Sequence, residues 1–262
     1  MKITSIRIQF VYTNGSETMH KPTLRVLQVI DLLCENRQPM RLSEISRCLD
    51  VPKSTLLPIL QTMVQNRYIQ KDESDRYYLG IALLEVGAYA GAIHSQGDYI
   101  RDCLKDLVTQ FGETCYYGVL DGSNVLYMEK VDSTQPIRML TTIGHKLPAY
   151  ATGLGKALLM DMTYEQLKQL YPGGLEALTK STVKDLKSLH QQLQQAKVLG
   201  YSWEVEESTE HIRCFGMPVR KNGQIVGAVS MAIPIFRYEE TKKENIIRSL
   251  QETADKLSNT LK

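Results

Sequence analysis

Three amphipathic helices are predicted near the start of the chain, where hydrophobic residues recur every three or four positions. The first helix is expected to begin at Thr23, and its predicted buried stripe consists of Leu24, Leu27, Ile30, Leu33 and Cys34. After a break that contains Pro39, Ser43 is the expected N-cap of a short helix over residues 44–48. A tight turn ending at Pro52 leads into the third helix. Its predicted buried stripe consists of Leu56, Ile59, Leu60 and Met63.

A β-hairpin is predicted directly after these helices. Residues 68–71 and 76–79 are rich in strand-forming side chains, and the polar residues 72–75 separate them. Two helices, a tight turn, a third helix and a hairpin follow one another in the order of a winged helix-turn-helix. The order of the elements therefore indicates a DNA-binding fold at this end of the chain.

Residues 1–18 fit this pattern less well. Ile3, Ile6 and Ile8 give a partial strand-like alternation, and a second methionine, Met19, stands just before the first helix. Two interpretations remain open for residues 1–18: a short strand, or a leader that is disordered or mis-assigned.

The remainder of the chain predicts a connecting helix and then one α/β unit. Residues 81–94 are rich in alanine and glycine, so this helix either only connects the two parts or also packs closely on a second copy of itself. The predicted strands of the α/β unit are residues 114–120, 124–131, 137–143, 201–204, 214–219 and 224–233. Its predicted helices are residues 98–111, residues 152–160, a helix that ends at Gly200, and a final helix from Lys242.

Composition narrows the function classes. The hydrophobic content of 43% and charged content of 23% are typical of a globular protein. No run approaches the roughly 18 apolar residues needed to span a bilayer, and the start lacks the features of a secretory signal, so a cytoplasmic location without membrane contact is expected. The sequence contains no C-x-x-C pair, P-loop or dinucleotide fingerprint. Neither a metal site nor a cofactor is therefore expected.

The charge pattern of the third helix favours a polyanionic partner. No Asp or Glu occurs between Val51 and Gln70, while Lys53 is present and Ser54 and Thr55 follow it. Amides and hydroxyls at a helix start can contact phosphate oxygens. The net charge of the whole chain is only +2, so DNA affinity must come from such a local arrangement.

Several separated motifs resemble the IclR family of bacterial regulators. Three stretches resemble its DNA-binding domain: Leu42-Ser43-Glu44-Ile45-Ser46, Val51-Pro52-Lys53-Ser54-Thr55 and Arg67-Tyr68-Ile69. Three others are similar to its effector-domain signatures: Ala151-Thr152-Gly153-Leu154-Gly155-Lys156-Ala157-Leu158-Leu159, Ile212-Arg213-Cys214-Phe215-Gly216-Met217-Pro218-Val219 and Gly227-Ala228-Val229-Ser230. The resemblance covers roughly residues 22–261 in the family's order.

The resemblance implies a two-domain α+β fold. A winged helix-turn-helix would occupy residues 19–80, a linker and dimerisation helix residues 81–96, and a GAF-like α/β effector-binding domain residues 97–262. It also implies a homodimer or homotetramer on palindromic promoter DNA. A small organic-acid or sugar-acid metabolite would control it, and repression relieved by that metabolite is expected rather than activation.

Candidate site residues follow from the charge pattern and the resemblance. The expected DNA contacts are Arg41, Ser43, Lys53, Ser54, Thr55, Leu57 and Arg76. The effector contacts that the resemblance implies are Met139 on a strand, Gly153 and Leu154 at a helix start, and Glu204, Ile212, Cys214 and Ser230 on later strands. Ala232 stands where some family members have serine. Because a carboxylate would repel an acidic effector, Glu204 is hypothesised to bind effector hydroxyls.

The recognition helix departs from the family pattern, which usually has polar side chains after Lys-Ser-Thr. Here Leu57 and Pro58 follow, and Leu57 can contact thymine methyl groups but offers no hydrogen bond to a base. Pro58 requires either a late helix start capped by Ser54 or a kink.

Two other functions are weighed against the regulator. Leu57 and Pro58 are the only features that favour an adaptor whose helix-turn-helix contacts protein rather than DNA. An enzyme would use Cys214 as nucleophile with His211 and Glu204, but His211 is only three residues away and would face the other side of an extended strand.

Overall fold

The computed structural model describes residues 20–36, 38–93, 97–139 and 141–260. The two interpretations of residues 1–18 lie outside the described residues. The chain divides into two compact units, Met1–His94 and Ser95–Lys262.

The described residues of the N-terminal unit form four helices and three short strands. Its elements are α1 (Lys21–Asn36), β1 (Met40–Arg41), α2 (Leu42–Leu49), α3 (Lys53–Gln65), β2 (Ile69–Lys71), β3 (Arg76–Leu79) and α4 (Ile81–Ile93). The strands form an antiparallel sheet in the order β1-β3-β2. The three predicted helices and the hairpin are all present, so the winged helix-turn-helix is confirmed. Strand β1 was not expected.

The buried stripe of α1 differs from the prediction. Val29, Leu32 and Leu33 form its core contact, whereas Leu27 and Cys34 are exposed. The sequence offers hydrophobic residues in two helical phases, and packing against α2 and α3 selects the phase that passes through Val29. The prediction took the other phase and shares only part of the true stripe.

Ser43 is not the N-cap of α2. Arg41 pairs with Arg76 across β1 and β3, which holds Arg41 in an extended conformation and lets the helix begin at Leu42. The backbone amide of Arg41 donates a hydrogen bond to Glu44 Oε2 at 2.7 Å. This contact satisfies a backbone donor next to the helix start, and Ser43 lies within the first turn.

Helix α3 starts at Lys53 and continues through Pro58. A late start capped by Ser54 is therefore wrong. Thr62 Oγ1 donates a hydrogen bond to Pro58 O at 2.9 Å, one turn further along the helix. The proline lies on the exposed side of α3, so the backbone hydrogen bond that it cannot donate is lost at the surface and not in the core.

The C-terminal unit is built on a six-stranded antiparallel sheet in the order β6-β5-β4-β9-β8-β7. Its strands are β4 (Thr114–Asp121), β5 (Asn124–Val131), β6 (Lys146–Pro148), β7 (Ser202–Val205), β8 (Ile212–Lys221) and β9 (Gln224–Pro234). Its helices are α5 (Gly97–Phe111), α6 (Gly153–Leu158), α7 (Tyr164–Leu170), α8 (Leu186–Leu199) and α9 (Lys243–Thr260).

The two faces of the sheet are covered by different helices. Cys115 and Tyr117 on β4 face α5 and α9, which supply the buried residues Leu104 and Leu250. Tyr116, between them on the strand, faces the opposite side, where α6, α7 and α8 supply a second core. This period of two is what an antiparallel sheet buried on both faces requires.

The strand expected over residues 137–143 is not formed. Among the described residues of that stretch none is in a strand, and the edge strand β6 comes later, at Lys146–Pro148. A turn at Gly144 and His145 takes the hydrogen bonds of Tyr127 on β5: Tyr127 N donates to His145 O, and Gly144 N donates to Tyr127 O. The backbone hydrogen bonds of Tyr127 therefore go to this turn rather than to a strand over residues 137–143, and Ile137 and Ile143 are largely exposed.

None of the helices in the described parts of the chain has the length and apolar composition needed to cross a bilayer.

Candidate functional site

The N-terminal unit presents basic side chains at the start of α3 and on its small sheet. Lys53 and Ser54 are exposed at the start of the helix, and Thr55 behind them is half-buried. Arg41 and Arg76, both exposed, are direct neighbours because β1 pairs with β3 at these two residues. The two arginines are far apart in sequence, and the pairing of β1 with β3 places them side by side.

The tip of the hairpin is acidic and internally hydrogen-bonded. Asp72 Oδ1 accepts hydrogen bonds from the amides of Ser74 and Arg76, each at 2.9 Å, and so fixes the turn. Lys71 Nζ lies 2.6 Å from Asp75 Oδ1, and this hydrogen bond lowers the pKa of the Asp75 carboxyl. Part of the acidic charge at the tip is thereby compensated within the hairpin.

In the C-terminal unit, strand pairing brings together three of the implied effector residues, which are Glu204, Cys214 and Ser230. Glu204 on β7 is opposite Cys214 on β8, which is opposite Ala232 on β9. In the next row on the same face, Gly216 is opposite Ser230. All five are buried. Residues far apart in sequence therefore form one continuous patch.

The start of α6 rests directly on this patch. Ser202 Oγ donates to Gly153 O at 2.6 Å. A Cβ on Gly216 would lie 2.3 Å from Gly153 O, and a Cβ on Gly153 would lie 2.9 Å from the Cβ of Cys214. Glycine is required at both positions because the helix backbone touches the sheet. Thr152 caps the helix, accepting a hydrogen bond at its Oγ1 from Gly155 N at 2.8 Å.

Glu204 is a fully buried carboxyl. Burial raises the pKa of Glu204 to about 7. The Glu207 amide, which donates to Glu204 Oε2 at 2.7 Å, lowers this pKa but does not cancel the effect of burial. The other oxygen, Oε1, has a longer contact of 3.5 Å with the hydroxyl of Ser208. A carboxyl in this state can act as an acceptor or, when protonated, as a donor near neutral pH.

A buried ion pair lies beside Glu204. Lys156 of α6 donates from Nζ to Glu207 Oε1, and the lysine side chain is only 2% exposed. Burial lowers the pKa of Lys156, because desolvation outweighs the attraction of the two carboxyl groups. Glu207 Oε2 also accepts from the amide of Val183 at 3.2 Å. The prediction missed this pair, although Lys156 belongs to one of the signature motifs.

A cavity of about 410 Å³ lies in the C-terminal unit. It is lined by Ile137, Arg138, Met139, Thr141, His145, Leu147, Thr209, Glu210, His211, Ile212, Pro234 and Phe236. Of the implied effector residues, Met139 and Ile212 contribute to its wall. Met139 lies in an irregular segment rather than on the expected strand, and its backbone oxygen is 3.4 Å from the hydroxyl of Tyr116.

The other implied effector residues lie beyond the cavity wall. Gly153, Leu154, Glu204, Cys214 and Ser230 are buried and line no part of the cavity. Cys214 is nevertheless two residues from the wall on the same strand and points to the same side of the sheet. The cavity and the buried patch are therefore adjacent.

Cys214 lacks the properties that the nucleophile of an enzyme would need. Burial raises the pKa of the Cys214 thiol well above its usual value, and the neighbouring Glu204 carboxylate raises it further. His211 is exposed, lies just before β8 and contacts Glu206 at 3.4 Å. A buried thiol that stays protonated is a poor nucleophile.

Both units match models of one protein family. The IclR helix-turn-helix model matches residues 22–73, and the C-terminal model of the bacterial transcriptional regulator IclR matches residues 98–259. The chain belongs to the IclR family. Its relatives in this family include the HTH-type transcriptional regulator KdgR of Escherichia coli (strain K12), with 31% identity over 241 residues and 90% coverage of each chain.

Two further comparisons agree with this assignment. The HTH-type transcriptional repressor AllR of Escherichia coli (strain K12) is 26% identical over 242 residues, which cover 90% of this chain and 89% of AllR. An IclR homolog from Microbacterium hydrocarbonoxydans, solved in complex with 4-hydroxybenzoate, matches with a TM-score of 0.79 and 22% identity, over 92% of this chain and 98% of that one. This IclR-family chain is thus a DNA-binding transcriptional regulator with an effector-binding C-terminal domain, and not an enzyme.

Proposed function

We propose that this regulator represses transcription as a homodimer on a palindromic operator and releases the operator when a small carboxylate-bearing metabolite binds its C-terminal unit. The observation that carries the proposal is the cavity of about 410 Å³ beside Met139 and Ile212. Its volume suits a small organic acid or sugar acid. Because promoter DNA is the target, the proposal includes a cytoplasmic location.

The side chains that line the cavity support an anionic effector. Its apolar wall, which includes Ile212 and Phe236, is combined with Arg138 and His211, against one acidic side chain, Glu210. A cation near an apolar wall fits a compact molecule with one carboxylate. The relative from Microbacterium hydrocarbonoxydans was solved with 4-hydroxybenzoate, a molecule of this class.

The buried patch next to the cavity supports a hydroxyl on the same effector. Glu204 Oε2 accepts a 2.7 Å hydrogen bond from the Glu207 amide, whereas the contact of Oε1 with the Ser208 hydroxyl is longer, at 3.5 Å. We therefore keep Glu204 as the proposed acceptor for an effector hydroxyl. The proposed contacts are completed by Gly153, Leu154, Cys214 and Ser230, which a ligand reaches only if the cavity extends inwards on binding.

Helix α4 supports self-association. Ile81, Leu84, Val86 and Tyr89 are exposed on it, with Tyr89 at 73% and Leu84 at 67%. Such apolar exposure on a helix rich in alanine and glycine favours packing against a second copy. Two recognition helices would then face successive major grooves.

The proposed contacts to DNA are Lys53, Ser54 and Thr55 at the start of α3, the Arg41 and Arg76 pair, Ser43 and Leu57. Repression would be relieved only if the effector binds the DNA-bound and DNA-free states with different affinity.

Titration of the DNA-bound protein with paired ligands tests this proposal. We expect 4-hydroxybenzoate or a sugar acid from a panel to lower DNA affinity, while the matching neutral amide does not. Met139→Trp, which fills part of the cavity, should abolish the response, whereas Val198→Trp, at a residue that is 88% exposed on α8, should keep it. Release by acid and amide alike, or binding of an acid that leaves DNA affinity unchanged, would contradict the proposal.

A further inference from the structure

The exposed face of α3 carries no charged side chain along its centre. Leu56, Leu60 and Met63 point into the core of the N-terminal unit. At 100° per residue, the line directly opposite this stripe passes close to Ser54, Pro58 and Gln65, and Gln61 and then Leu57 lie to one side of it on the same exposed face. All five of these side chains belong to exposed residues. The helix that the family places in the major groove therefore presents hydroxyl, amide and apolar groups there.

Most other polar groups near this face are already hydrogen-bonded to the helix itself. Thr62 Oγ1 donates to Pro58 O at 2.9 Å, and Asn66 Nδ2 donates to Thr62 O at 2.8 Å. Within the described parts of the chain, the side-chain amides of Gln61 and Gln65 have no hydrogen-bond partner. Gln61 lies in the middle of the helix, and Gln65 is its last residue.

The chemistry of these groups matches A·T base pairs. A glutamine amide can donate to N7 and accept from the N6 amino group at the major-groove edge of adenine, and an apolar side chain can contact the methyl group of thymine. Guanine is usually recognised by arginine or lysine, and the middle of α3 contains neither. Lys53, the one basic residue of the helix, is at its first position, where a phosphate contact is expected.

We propose that Gln61 is the main base-specifying residue of α3, that it recognises an adenine, and that Leu57 packs on a thymine methyl group in the same half-site. The two residues are four positions apart, which corresponds to about 6 Å along the helix axis. The half-site should therefore contain A·T pairs at two nearby positions, one for each of these residues.

Selection from a random-sequence duplex pool tests the proposal, because such a selection does not require the operator to be identified first. Full-length wild type should enrich a motif whose half-site is specified mainly by A·T pairs. Gln61→Ala should lose the preference at one position per half-site, keep the others, and bind the wild-type consensus about 5- to 150-fold less tightly. Gln61→Arg should change that same position to G·C.

Two matched variants separate this role from general effects. Gln65→Ala changes the same side chain on the same face one turn later and should leave the motif unchanged. Lys53→Gln should weaken binding to all sequences and reduce the salt dependence without altering the motif. Because Gln61 is exposed, its variants should unfold at the wild-type temperature.

Three outcomes would overturn the proposal. The first is an identical motif for wild type, Gln61→Ala and Gln61→Arg. The second is a change of motif with Gln65→Ala but not with either Gln61 variant. The third is a wild-type half-site specified mainly by G·C pairs, or no enrichment for wild type at all.

Discussion

The buried ion pair between Lys156 and Glu207 leads to a quantitative prediction for Lys156→Met. Methionine is close to the lysine side chain in length, so the change removes the charge and leaves little empty space. It leaves the Glu207 carboxylate inside the protein, where its side chain is 9% exposed, with the Val183 amide at 3.2 Å as a remaining donor. An unpaired buried charge is the costly product of breaking such a pair.

The expected magnitude follows from this burial. Removal of one partner of a buried pair costs about 3–5 kcal/mol in the free energy of unfolding. For a domain of this size, that corresponds to a fall of about 10 °C in the melting temperature. The double variant Lys156→Met/Glu207→Gln should recover most of the loss. Lys168→Met, which breaks a surface pair with Glu165 whose side chains are 51% and 74% exposed, should cost below about 1 kcal/mol.

Urea unfolding followed by tryptophan fluorescence measures these differences in the full-length protein. Trp203 is the single tryptophan of the chain and lies on β7, so its signal reports the C-terminal unit alone. The midpoint and slope should be compared rather than the intensity, because Trp203 lies near Lys156. The reasoning is refuted if Lys156→Met destabilises the unit no more than Lys168→Met does.

Three further predictions concern the protein's buried groups and thiols. Because burial raises the pKa of Glu204 from 4.5 to about 7, its protonated form stabilises the fold at low pH, and this contribution is lost as pH rises through about 7. Between pH 5 and pH 8 the free energy of unfolding of the wild type should thus fall by up to about 3 kcal/mol relative to that of Glu204→Gln. If the urea midpoints of the two proteins change in parallel over this pH range, the prediction is wrong. Gly216→Ala should destabilise the protein by about 1–3 kcal/mol, because the added Cβ would lie 2.3 Å from a backbone oxygen. The control Gly173→Ala, whose Cβ would have nothing within 4 Å, should leave the stability unchanged. Equal melting temperatures for the two variants would contradict the close contact at Gly216. In the native protein iodoacetamide should modify the exposed Cys34 and leave the buried Cys214 unmodified. Mass spectrometry of the digested protein measures this. Rapid modification of Cys214 would instead support a catalytic role for its thiol.

The arrangement of helices and strands could be predicted from the sequence wherever one periodicity dominates. The helix that became α5 and the hairpin around Asp121 combine a clear pattern with a strong turn signal, and both are present. For α1 the hydrophobic residues allow two phases, and only contact with the neighbouring helices decides between them. The stretch over residues 137–143 has a strand-like pattern, but its backbone partner on β5 is taken by the turn at Gly144.

The candidate site could be predicted in part. The family resemblance assigned Gly153, Glu204, Cys214 and Ser230 to one expected site, and strand register explains why such distant residues meet. The ion pair of Lys156 could not be found in the same way, because nothing in the sequence shows that a lysine of α6 is buried. Apart from Met139 and Ile212, the cavity wall was missed for a related reason, since it is formed by loops and strand ends that only the folded sheet brings together.

The most direct test of the account is the affinity of the full-length protein for its selected consensus duplex and for a scrambled duplex of the same composition, measured by fluorescence anisotropy at several salt concentrations. The account predicts that the consensus is bound about a thousandfold or more tightly than the scrambled duplex, and that both affinities fall steeply as salt rises, because phosphate contacts release counterions. Equal affinity for the two duplexes at low salt would contradict sequence-specific recognition of DNA by this chain.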